Sequence, residues 1–327
     1  MDTKNIDLLN IGLMLVSCIA AYVLPFELFL FSYAVLGPLH YLTEISWLNK
    51  RNYFSHGQYD FMYLSILAVL ITFISFFATT LIDVAPALIL IAFISAIALA
   101  FIKEKRNRYI ALGLITIGCL LSYKVEFYKI FVSVFLPTLV HVYLFTGAFI
   151  LLGALKNKSI TGILSLVIFI ICTVSFFIYV PQLSSYNLSL DIKKKYVDMM
   201  MLNYELINLL HLDKLGDLYA QSSIISIFHS DNGYIVMRFI AFAYTYHYLN
   251  WFSKTSVIKW HNVPFIQLMV VIVLWAFSVG LYFYDYGFGL RCLYLLSVLH
   301  VFLEFPLNYH SFVGIGKELK SLIASKV

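Results

Sequence analysis

Read as hydrophobic and polar positions, the chain is a succession of long apolar runs broken by charges, glycines and prolines. Ten such runs are predicted to be helical, over 8–23, 25–48, 61–82, 84–102, 109–123, 128–155, 159–180, 234–253, 264–284 and 288–307. Most approach the ~20 residues that cross a ~30 Å hydrocarbon layer at ~1.5 Å per residue. Pro38 and Pro137 fall inside runs and are expected to kink their helices, with neighbours or waters satisfying the freed carbonyls. Pro25, Pro264 and Pro306 are read as helix boundaries. The pattern predicts an all-α, polytopic transmembrane helix bundle of about ten spans, forming a single domain over 1–327.

One long interruption, 181–230, is predicted to be a partly helical extramembrane insertion. Within it Tyr196, Met199, Met200, Asn203, Ile207 and Leu210 recur roughly at helical spacing, which is expected of an amphipathic helix lying on the membrane surface. The Met199–Met201 run offers soft thioethers, but methionine is more often a flexible apolar filler than a copper ligand.

Composition agrees with the hydropathy pattern. Hydrophobic residues make up 62% of the chain and charged residues 12%, about half the charge of a soluble domain. The first run lacks a basic flank and a small-residue cleavage site, so it is expected to be retained as a span. With ten spans, the loops on the side of the two termini carry 14 lysines and arginines, including Lys103–Arg108, against 6 on the other; Arg238 and Arg291 inside spans complete the 22. That bias predicts both termini in the cytoplasm, the insertion on the far side, and a bacterial inner membrane as the location. Cys18, Cys119, Cys172 and Cys292 lie in apolar stretches without zinc-motif spacing. No basic stripe points to nucleic acid, so the expected partners are membrane lipids.

Against this background, ionisable groups inside apolar runs need a reason. His40 with Glu44, and His300 with Glu304, stand one helical turn apart. Counting rise along each run puts His40, His247 and His300 in one layer, roughly 10 Å below the cytoplasmic surface. His56, His261 and His310 follow the same three runs in loops, and His141 lies deeper, near mid-membrane. Histidine with carboxylate is the ligand chemistry of non-haem iron, and also of zinc or manganese. The candidate metal ligands are therefore His40, Glu44, His247, His300 and Glu304, with His141, His56, His261 and His310 as secondary candidates. The competing structural reading is a hydrogen-bonded polar lock between helices. Arg238, Arg291 and Asp285, near the outer ends of their runs, are expected to pair with each other or to reach toward headgroups. No catalytic base or nucleophile stands out beyond these ligands.

Two families share parts of this pattern. HYLTE at 40–44 and HVFLE at 300–304 resemble the His boxes of membrane fatty acid desaturases and hydroxylases, with glutamate in place of the second histidine and without the adjacent-histidine boxes. GPLHYLTE at 37–44 resembles the early P-H-G-A-L-D motif of the Brp/Blh group of bacterial carotene dioxygenases, with Tyr41 for the glycine and the acid four residues on instead of three. The second resemblance implies an iron-ligand role for His40. The expectation is a membrane-embedded non-haem iron (Fe2+) oxygenase acting on a lipid, carotenoid or other apolar small molecule and fed by a cytoplasmic electron donor. A proton- or ion-coupled transporter or channel using intramembrane His and Glu is the main alternative, and a haem- or quinone-binding protein the second.

Overall fold

The computed structural model describes residues 3–121, 129–179, 188–254 and 263–324. No strand occurs among the described residues, and eight helical segments are long and apolar enough to cross a membrane. These are Thr3–Val23, Pro25–Asn49, Asp60–Phe77, Thr80–Phe101, Phe131–Asn157, Ile160–Ile178, Phe265–Tyr284 and Tyr286–Ala324. The two other expected runs are also helices. Lys105–Leu121 has 17 residues, a length of ~25 Å. Asp231–Ser253 has 23, interrupted by polar side chains.

The helices are α1 Thr3–Val23, α2 Pro25–Phe31, α3 Gly37–Asn49, α4 Asp60–Phe77, α5 Ala85–Phe101, α6 Lys105–Leu121, α7 Phe145–Asn157 and α8 Ile160–Ile178. They continue as α9 Leu190–Tyr196, α10 Met201–Leu209, α11 Gln221–His229, α12 Asp231–Ser253, α13 Phe265–Tyr284 and α14 Tyr286–Ala324. Two stretches of wider π-helix are built in, Ser32–Leu36 between α2 and α3, and Phe131–Leu144 ahead of α7. The expected kink positions are at these places. Pro38 follows the first stretch and Pro137 lies within the second, and a π turn relieves the clash between a proline ring and the carbonyl of the preceding turn.

Contacts gather the chain into two compact units that alternate in sequence. The first holds Met1–Gly37 and Val142–His261, and α12 is its axis, buried at every residue from Gly233 to Tyr248. Around α12 pack α1, α2, α8, α10 and α11. Polar ties fix the packing: Tyr246 and Ser253 donate to Asn10 Oδ1 at 3.2 and 2.9 Å, and Ser32 and Thr245 share a 2.7 Å hydroxyl contact. Ser159 caps α8 by accepting from the Gly162 amide, and Asp7 of α1 accepts from Ser159 and Thr161 at 2.6 and 2.8 Å. The apolar stripe of the insertion, expected to face the membrane surface, faces protein. Tyr196, Met200, Asn203 and Ile207 are buried in this unit, with Tyr196 ringed by Phe26, Phe29 and Phe228. The aromatic start of α2 supplies the apolar partner that lipid was expected to supply.

The second unit holds Pro38–His141 and Asn262–Val327. Its longest element, α14, has 39 residues and runs unbroken through Pro306, so that proline is not the expected boundary and His310 sits on helix rather than in a loop. Phe93 of α5 packs against Phe302 and Phe305 at 5.3 and 4.6 Å between ring centres. Beyond α3 the chain turns through three left-handed residues, Asn52, Tyr53 and Phe54, a costly conformation for residues with side chains. The Asn52 amide group donates to the carbonyls of Ser55 and Gly57 at 3.1 and 3.3 Å and holds the turn. Asp60 accepts from the Gly57 amide at 2.7 Å and faces Arg108 at 3.6 Å, a buried pair that closes this end of the unit.

Candidate metal centre

Three helical segments of the second unit bring their polar side chains to one place. His40 and Glu44 share a face of α3, as spacing of four residues requires, and His40 Nε2 lies 3.1 Å from Glu44 Oε2. His300 and Glu304 do the same on α14. His141 enters from the π-helical stretch, its Nε2 3.2 Å from His300 Nε2 and its Nδ1 3.2 Å from Glu304 Oε2. His40 and His300 have ring centres 5.5 Å apart. One ligand atom from each of His40, Glu44 and His300 can be chosen so that all lie within 4.8 Å of one another. All five side chains are at most 3% exposed, which removes water as their solvent.

The distances suit a shared cation. Two donors bound to one ion at ~2.0–2.2 Å, at angles from about 90° to 109°, stand ~2.8–3.6 Å apart, and the two Nε2 atoms, 3.2 Å apart, fall within that range. Charge points the same way. Two ionised carboxylates would place a charge of −2 in a low-dielectric interior, a burden relieved by protons on the carboxyls or imidazoles or by a bound cation. A divalent ion cancels it and leaves all three imidazoles unprotonated as ligands. Glu304 Oε2 lies 3.2 Å from His141 Nδ1, and an ionised carboxylate there favours a proton on Nδ1, which leaves the Nε2 lone pair toward His300. A carboxylate behind a histidine in this way orients the ring and raises its basicity toward a metal. Tyr41 stacks on the His300 ring at 4.0 Å between centres and 23° between planes, restricting its rotation.

His247 belongs to the first unit, where its Nδ1 is 2.8 Å from Thr146 Oγ1. Thr146 spends its single proton on the Val142 carbonyl at 2.7 Å, so it accepts from His247 and the lone pair is on Nε2. His56 is exposed, and His310 is exposed with Nε2 3.2 Å from the Phe54 carbonyl, so neither joins the buried group. His261 lies outside the described residues. His141, expected near mid-membrane, is in direct contact with His300. Asn308 extends the α14 face one turn beyond Glu304, and among the described residues neither polar atom of its buried amide has a hydrogen-bond partner. Its signal in the sequence is the i, i+4, i+8 series His300, Glu304, Asn308.

No known protein family model, no curated protein and no solved structure matches this chain.

Proposed function

We propose that the chain is a membrane-embedded enzyme whose metal centre is held by His40, Glu44, His141 and His300, with Glu304 behind His141. The observation that carries the reading is the convergence of three imidazoles and two carboxylates, all buried, with two Nε2 atoms at the separation of two ligands of one ion. A histidine-rich set completed by carboxylate favours non-haem iron, with zinc or manganese as the other ions of similar ligand preference. Bound iron would supply oxygen activation, and an oxygenase acting on an apolar substrate drawn from the bilayer is the activity that best suits a centre built inside apolar helices. The protein's own groups have defined parts in this reading. Glu304 backs the His141 ring from its Nδ1 side, Tyr41 stacks on the His300 ring, and the surrounding apolar helices exclude water. In the same reading the chain makes ten spans with both termini in the cytoplasm, the orientation its loop charges favour, in a bacterial inner membrane, and electrons arrive from the cytoplasmic side.

Elemental analysis of protein purified in mild detergent tests this. About one transition-metal ion per chain is expected, lost in His40→Ala and in His300→Ala. Protein that carries no stoichiometric metal, and takes up none on anaerobic addition of Fe2+, would overturn the proposal. In that case proton or ion flux in proteoliposomes, abolished by Glu44→Gln, would identify the buried acids as a transport pathway.

A further inference from the structure

Arg238, in the first unit, is a further buried charge. It lies on α12, eight residues past the cap Ser230 and so ~12 Å along the helix, and is 5% exposed. Nε and Nη1 of its guanidinium have no hydrogen-bond partner among the described residues, and the group makes no ion pair there. The carboxylate whose charge reaches it is that of Asp231, which is exposed and two turns back on the same helix. The guanidinium faces the Tyr22 ring at 5.4 Å, and such a contact recovers only a fraction of the cost of desolvating the charge. Tyr22 offers no proton to an added ligand, since its hydroxyl donates to Ser175 Oγ at 3.1 Å. A permanently charged side chain in this setting has unused donors and calls for an anion.

The neighbourhood says which kind. α1, α8 and α12 pack together here, and the outward residues Ile19 and Val23 of α1 and Ile178 of α8 are exposed and apolar, a surface suited to acyl chains. Tyr179, exposed and 6.0 Å from Tyr22 between ring centres, places an amphipathic phenol at the same end of the helices, as at a membrane interface. Counted from Tyr234, where the apolar run begins, Arg238 is only ~6 Å deep, a depth from which its long side chain can reach toward the headgroups. We propose that Arg238 is the anchor of an oxyanion-binding site that takes the phosphate of a membrane phospholipid, whose chains lie along α1 and α8. The guanidinium supplies N–H donors to the phosphate oxygens, and the lipid supplies a counter-charge that no described residue pairs with it.

Thermal unfolding of delipidated, detergent-solubilised full-length protein tests the site with three added probes: phosphatidylglycerol, diacylglycerol of the same acyl chains, and inorganic phosphate. Wild-type protein is expected to gain several degrees in Tm with phosphatidylglycerol and nothing with diacylglycerol, and Arg238→Met is expected to lose that gain, with binding weakened by about thirtyfold or more. An equal gain with inorganic phosphate, also lost in Arg238→Met, supports the oxyanion site and assigns its source to a soluble anion. Should Arg238→Met fail to fold, Arg238→Lys keeps the charge without the planar fork and is expected to retain a weaker gain. Native mass spectrometry of the wild type, showing retained phospholipid, checks the site without any variant. The proposal fails if neither phosphate-bearing probe stabilises the wild type more than diacylglycerol does.

Discussion

Glu304 does not need to touch a metal to matter to one. Its carboxylate meets His141 at Nδ1, on the side of the ring opposite the nitrogen that faces His300. Replacing Glu304 with Gln keeps the size and an acceptor oxygen but removes the charge that raises the basicity of the ring. Metal affinity, measured by competition with a chelator, is expected to fall about 10–100-fold while helix content is unchanged. Unchanged affinity would show that Glu304 plays no part in holding the ion. The two His–Glu pairs were legible in the sequence because an i, i+4 relation on a helix is fixed by helix geometry alone. The place of His141 was not, because it depends on where two distant segments meet, and rise along a helix says nothing of the direction in which a side chain points. Nor does spacing report exposure, which is what separates His56 and His310 from the buried group.

Among the elements, α11 and α12 meet so closely that one hydrogen atom decides the fit. A Cβ on Gly233 would lie 2.2 Å from the Ser226 carbonyl oxygen and 2.3 Å from that of Ile227, both backbone atoms that cannot swing aside. Gly233→Ala is therefore expected to destabilise the first unit by about 1–3 kcal/mol, read as a lower Tm in detergent, whereas the same change at Gly12, with nothing within 4 Å, is expected to be harmless or stabilising. Each of the ten apolar runs corresponds to a helix, since length and hydropathy are local properties. Other features depended on partners. The stripe from Tyr196 to Ile207 reads equally well as facing lipid or protein, and only the presence of Phe26 and Phe29 decides between them. Pro306 reads as a stop, yet α14 continues because a helix can lose one backbone hydrogen bond when its flanks are packed, as Phe305 is against Phe93.

For the molecule as a whole, the alternation of two units along the chain allows their ligands to be tested separately. Removal of a metal bound at His40, His141 and His300 is expected to speed backbone hydrogen exchange in α3 and α14 and to leave α1, α8 and α12 unchanged. Delipidation is expected to do the reverse, loosening the ends of α1 and α8 beside Arg238. Exchange mass spectrometry on the same sample reads both. No sequence signal marked the division, because neither a linker of distinct composition nor a repeat of the whole fold accompanies it.

The π-helical stretch Phe131–Leu144 makes the phase of the chain at His141 a matter of residue count. Successive residues on an α-helix turn by about 100°, and a π turn holds one residue more than the α turn it replaces. Deleting a single apolar residue between Phe131 and Pro137 would leave hydropathy almost untouched and swing the His141 imidazole away from His300. Through this segment the chain should tolerate exchanges among Val, Leu and Phe far better than any change in length.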